Sequence, residues 1–134
     1  MSQENVEIVR PIAEDWAQGD FGSSWWAHPD VEFVHADGPA PSRWTGLAGL
    51  AEGTRAWLAP WQDLRWDVDE YRELDDKRVL VLCRFEGRGK ASGVELAQMH
   101  AKGATLFHVR DSKVTKIVLY LDRERAFADL GLKE

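Results

Sequence analysis

His35 and Asp37 stand two residues apart at the end of Val31-Glu-Phe-Val-His35, a run that reads as a strand. If the strand continues through residue 37, both side chains project to the same side. An imidazole that titrates near neutrality and is held by a carboxylate is a workable general base. An aspartate acting alone needs burial among apolar groups to raise its pKa into a useful range. Each residue also has a plain structural reading. Asp37 precedes Gly38-Pro39, where Asp before Gly commonly makes a turn, and His35 could be a hydrogen-bonded strand residue.

The second chemical signal is aromatic. Seven tryptophans, all in the first half, bring large apolar surfaces and one N–H each. Packing accounts for some of them, but their concentration also suits a pocket for a flat, largely apolar molecule. Trp16, Trp25, Trp26 and Trp61 are the candidates to hold it. Other patterns carry less. Gly87-x-Gly89-x-x-x-Gly93 resembles a phosphate loop but joins two strands, so a hairpin is expected. The four histidines lack metal-ligand spacing, no Gly-x-Ser-x-Gly elbow is present, and neither a metal nor a cofactor is expected. Cys83 lies in an apolar run and reads as a buried, inert thiol. The acids Asp63, Asp67, Asp69, Glu70, Glu73, Asp75 and Asp76 read as a solvated strand face and turn.

The 134 residues fit a single domain, 1–134, and the formal charge of −6 argues against a nucleic-acid partner. The densest basic stretch, Arg84 to Lys90, holds three cations interleaved with Glu86. No apolar run approaches the roughly 20 residues that cross a bilayer, so no membrane partner is expected. The polar N-terminus lacks a signal-peptide layout, which makes the cytoplasm the expected compartment.

The elements that must position these residues follow from periodicity. Val6, Val9, Ala13 and Trp16 mark an amphipathic helix from about Gln3 to Gln18, weakened at Pro11 and stopped by Gly19-Asp20. A short second helix is expected over Phe21 to Trp26, a strand over Val31 to His35, and a loop through Gly38, Pro39 and Pro41. Leu47, Leu50, Thr54, Trp57, Leu58 and Trp61 fit a third helix ending near Pro60. Leu64, Trp66 and Val68 then alternate as a strand, and strands follow over Val79 to Phe85, Val94 to Val109 and Val114 to Asp122. Arg110-Asp-Ser-Lys113 is a hairpin turn, and residues 124 to 132 form a tail of one helical turn. The class is therefore α+β, a curved antiparallel sheet wrapped around three N-terminal helices with a cone-shaped cavity between them.

On Asn5-Val-Glu-Ile-Val-Arg10, Gly19-Asp20, His28-Pro-Asp-Val-Glu-Phe33, Thr45-Gly46, Arg110-Asp-Ser-Lys-Val114 and Tyr120-Leu-Asp-Arg123, the chain resembles a SnoaL-like domain. Such domains belong to the nuclear transport factor 2-like (cystatin-like) superfamily, which spans polyketide cyclases, ketosteroid isomerases, epoxide hydrolases, dehydratases and non-catalytic domains. The resemblance implies a carboxylate base before the third helix. Counted back from Gly46 this is Asp37; counted forward from Asp30 it is His35. It also places Ile12 and Thr105 where ketosteroid isomerases carry a tyrosine and a protonated aspartate. Losing one such oxyanion donor costs about two to three orders of magnitude in rate, so ketosteroid isomerisation is disfavoured.

Other polar groups could line the cone. Tyr120 either donates its O–H into the cavity or caps it. His100 and His108 share strand parity with Gln98, and a bulge near Gly103 would break that parity. Arg84 invites comparison with epoxide hydrolases, although no pair of acids clearly joins it. The expected function is a small-molecule pocket protein, either a cyclase- or isomerase-type enzyme removing a proton next to a carbonyl or a non-catalytic binding or dimerisation module. The resemblance also implies a homodimer through the outer sheet face, whose Val and Leu rows need cover.

Overall fold

The computed structural model describes residues 4–37, 41–59, 61–89 and 98–132. The element order is α1 (Glu4–Ala17), β1 (Ala27–His35), β2 (Ser42–Thr45), α2 (Gly46–Leu58), β3 (Trp61–Glu73), β4 (Arg78–Gly89), β5 (Gln98–Arg110), β6 (Lys113–Tyr120) and α3 (Arg123–Leu130). Six strands form one sheet in the order β2-β1-β6-β5-β4-β3. The expected antiparallel sheet is in fact mixed, because β1 returns beside β6 in parallel, with Phe33 opposite Ile117 and His35 opposite Leu119.

α1 buries Val6, Val9, Ile12, Ala13 and Trp16 and runs on through Pro11. Its burial on the sheet outweighs the one hydrogen bond that proline cannot donate. The helix ends at Gly19, whose φ of +89° is the left-handed cap that glycine adopts freely. The expected helix over Phe21 to Trp26 does not form. Gly22, Ser23 and Ser24 are poor helix formers, and six residues are too few to offset nucleation. Local side-chain bonds hold this strap instead: Gly22 N–H donates to Asp20 Oδ1 at 3.1 Å, and Trp26 Nε1 donates to Ser23 Oγ at 3.2 Å.

The short edge strand β2 forms where the sequence, with Pro39 and Pro41 just before it, predicts a loop. Trp61 opens β3 rather than closing the helix, with Gly89 as its partner. Gly87 and Gly89 belong to β4, while Gly38, Pro39, Gly93 and Val94 lie outside the described residues. Asp111 and Ser112, at φ of 53° and 66°, make the two-residue turn that joins β5 to β6. The bulge expected near Gly103 falls elsewhere. The β4–β5 register runs unbroken from Arg78 opposite His108 to Arg88 opposite Gln98, and β5 shifts against β6 between His108 and Val109.

Strand alternation divides the core in two. On the inner face, Phe33, Trp66, Val81, Phe85, Phe107 and Ile117 pack with Trp16 of α1 and with Leu50 and Trp57 of α2. On the outer face, Leu80, Leu82, Ala104, Leu106, Val118 and Tyr120 pack with Ala126 and Phe127 of α3. The tail is thus a two-turn helix, started by Asp122, whose carboxylate accepts from Glu124 N–H at 3.0 Å. Within the chain, α3 packs over part of these outer-face Val and Leu rows.

Candidate functional site

β1 turns Val31, Phe33 and His35 inward and Val34 and Ala36 outward. The His35 ring meets Phe33 edge-on at 5.3 Å and Trp44 at 4.6 Å, the latter brought in by β2 pairing with β1. Gly53 lets α2 approach, because a Cβ there would collide with the rings of Phe33 and Trp44. His35 Nε2 is buried and has no hydrogen-bond partner among the described residues. Burial pushes the His35 pKa below its ordinary value, opposed in part by a hydrogen bond to the Gly53 backbone. The ring is therefore neutral at pH 7.

Asp37 has a different task. Strand β1 ends at His35, and the Asp37 carboxylate accepts from the backbone N–H of Leu121 at 2.7 Å and of Asp122 at 3.1 Å. It clamps the end of β1 to the junction between β6 and α3. No hydrogen bond joins Asp37 to His35 among the described residues, and the paired arrangement expected from a continuing strand is not formed. Replacing Asp37 with alanine orphans two amides and is expected to cost about 1–3 kcal/mol of stability. Asp37→Asn, which keeps one acceptor oxygen, should recover part of it; urea denaturation of both variants checks this.

Trp16 is the centre of the aromatic cluster. The rings of Phe21, Trp26, Trp57, Trp66 and Phe107 lie between 5.2 and 6.5 Å from it. Of the four tryptophans expected to hold a ligand, Trp16 and Trp26 share this interior. Trp61 is half-buried at the start of β3, and Trp25 is 61% exposed. Trp57 and Trp66 complete the cluster and were not singled out from sequence. Their signals were present, Trp57 in helical spacing with Leu50 and Trp66 alternating with Leu64 and Val68. Trp16 Nε1 is buried without a partner among the described residues, while the Trp66 indole lies against the Cys83 thiol, which its N–H can reach. An orphaned buried donor such as that of Trp16 invites a functional explanation.

The remaining candidates separate by face. Thr105 is fully buried on the inner face, its Oγ1 3.8 Å from Cys83 Sγ. Burial pushes the Cys83 thiol up to about 12, so it is unreactive, in line with its sequence reading. Tyr120 lies on the outer face under α3, away from the inner aromatic cluster, because alternation along β6 turns it with Val118. His108 is half-buried on that same parity, and burial lowers its pKa. The His100 backbone pairs with Glu86, while its side chain lies outside the described residues.

Arg84 also points outward, where it meets Asp69 at 2.6 Å. Asp69 is the extra residue of a β3 bulge between Val68 and Glu70, which turns its carboxylate to the outer face. There Arg123 joins it at 2.8 Å and donates further to the carbonyls of Gly103 and Cys83. One acid between two arginines is the inverse of the acid–arginine–acid set that an epoxide hydrolase would need. Among the described residues no three His, Cys, Asp or Glu side chains could hold a metal ion, and no helix is long and apolar enough to cross a membrane.

This architecture, a curved sheet around an aromatic interior with α1 and α2 on its inner face, is the nuclear transport factor 2-like fold. Its similarity to solved structures is extensive. A nuclear transport factor 2-like protein of unknown function from Burkholderia pseudomallei aligns over 96% of this chain and 97% of its own, with TM-score 0.74 and 20% identity. TerC co-crystallised with polyporic acid aligns over 94% and 96%, with TM-score 0.71 and 24% identity. A candidate polyketide cyclase from Xanthomonas campestris pv. campestris aligns over 95% and 96%, with TM-score 0.70 and 20% identity. At these identities the likeness establishes the fold. No curated protein matches the chain. The model of the SnoaL-like domain matches residues 10–117, and the chain belongs to that family.

Proposed function

We propose that the chain binds a flat, hydrophobic carbonyl compound against the inner sheet face and that His35 removes a proton next to the carbonyl. The observation behind this reading is the His35 imidazole, neutral by burial, with Nε2 unpartnered beside the rings of Trp44 and Phe33. A neutral imidazole with a free nitrogen can take a proton from a carbon acid without first breaking a protein hydrogen bond. The unpartnered indole N–H of Trp16 is a donor that a developing enolate oxygen could use. Ile12 offers no donor and Thr105 a weak one, which favours cyclase-type proton abstraction over ketosteroid isomerisation. No cofactor is needed for that step. The fold's occurrence in a candidate polyketide cyclase and in a protein crystallised with polyporic acid supports the ligand class.

The alternative is a ligand-binding module without catalysis. It is favoured by the mutual packing of Trp16, Trp26, Trp57 and Trp66, which occupies interior space that a substrate would use. Tryptophan fluorescence quenching by steroids, aromatic polyketides and small terpenoids selects ligands, and NMR in D₂O then follows exchange of the proton next to the carbonyl. Catalysis predicts accelerated exchange that falls as pH drops below the ordinary imidazole range, with His35→Gln slowing it about 100-fold or more while quenching persists. Quenching with no exchange above background in the native chain would favour the binding module.

A further inference from the structure

Residues 19–26 run as a strap rather than a helix, and between strap and α2 lies a cleft of about 480 Å³. Small-molecule sites commonly occupy roughly 300–1,000 Å³. One wall is an α2 stripe carrying Leu47, Leu50 and Leu58 at helical spacing, and Phe21 of the strap contributes apolar surface opposite. Leu47 is 43% exposed, so part of this apolar wall faces solvent. The cleft is distinct from the His35 surroundings. α2 turns Gly53 toward Phe33 and Trp44, and Thr54 and Leu58 toward the strap.

The polar groups of the cleft are few and most are engaged. Thr54 Oγ1 donates to the Leu50 carbonyl at 2.8 Å, Ser23 Oγ accepts from Trp26 Nε1, and Asp20 Oδ1 accepts from Gly22 N–H. Arg55 also lines the cleft, and among the described residues its guanidinium makes no ion pair or hydrogen bond. An uncommitted guanidinium at the edge of an apolar wall matches a ligand with an apolar body and a carboxylate head. Asp20 stands on the same cleft and repels a second negative charge.

We propose that this cleft is a binding site for a monocarboxylate with an apolar, ring-sized body, its carboxylate paired with Arg55 and its body against Leu47, Leu58 and Phe21. The test is calorimetric titration of the full chain with 2-naphthoate as the probe. Saturable binding is expected, weakened about fivefold or more by Arg55→Gln and unchanged by His35→Gln. The 2,6-dicarboxylate of the same ring should bind more weakly, and Asp20→Asn should narrow that difference. Arg55 is exposed, so the glutamine variant should melt with the native chain. No saturable binding, equal affinity in Arg55→Gln, or loss in His35→Gln as large as in Arg55→Gln would overturn the proposal. The proton-exchange assay at His35 is independent of all three.

Discussion

Replacing Trp16 with alanine is expected to destabilise the fold by about 3–5 kcal/mol, the range for removing a large aromatic side chain from a packed core. Its indole is 3% exposed and is ringed by Phe21, Trp26, Trp57, Trp66 and Phe107, which come from the strap, α2, β3 and β5. Phe21 and Trp57 are also held edge-to-face against each other at 5.2 Å, so neither can move to fill the space without breaking that contact. Trp25→Ala is the control. With its ring 61% exposed, its loss should change stability by no more than about 0.5 kcal/mol. Urea denaturation of both variants measures the contrast. Near-equal effects would mean that Trp16 is not the keystone of the cluster.

The second large effect is expected on the outer face. Arg123 donates to the Gly103 carbonyl at 3.0 Å, to the Cys83 carbonyl at 2.7 Å and to Asp69 at 2.8 Å, and its side chain is only 16% exposed. Arg123→Ala leaves two carbonyls and a carboxylate short of partners and should cost about 2–4 kcal/mol. Asp69→Asn should cost less, about 1 kcal/mol, because that carboxylate is partly solvated. The Asp69 variant also carries a pH signature. The hydrogen bond from Arg123, assisted by the charge of Arg84, holds the Asp69 pKa below its ordinary 3.8. A group with a depressed folded pKa stabilises above the unfolded value and loses that contribution as pH falls through the folded one. The stability gap between native chain and Asp69→Asn should therefore be full near neutrality and close below about pH 4. A gap that stays constant into acid would show that the charge on Asp69 contributes nothing.

Local periodicity made most of the elements readable. The three- and four-residue steps of Val6, Val9, Ala13 and Trp16 became α1, and the alternation of Leu64, Trp66 and Val68 became part of β3. Asp111-Ser112 became a two-residue turn because small polar residues tolerate positive φ. The misreadings share a cause. The strap over 19–26 has helical-looking apolar positions but weak propensity, and its side chains found local bonds first. β2 is a strand because β1 offers it an edge, which no four-residue window can reveal. α3 is two turns long because the outer face gave Ala126 and Phe127 somewhere to bury.

The candidate site divides along the same line. From sequence alone came the residue types: a histidine and an aspartate two apart, a surplus of tryptophan, a cysteine destined for burial, and the family resemblance that set their order. Only tertiary structure could distribute them. It turned His35 inward against Trp44, gave Asp37 to the amides of Leu121 and Asp122, and sent Tyr120 to the opposite face. It also gathered Trp57 and Trp66, both distant from Trp16 in the chain, around that ring. Type and periodicity are carried by neighbours in sequence, whereas the partner of a buried polar atom is set by strand register and helix docking, which depend on contacts made across the whole chain.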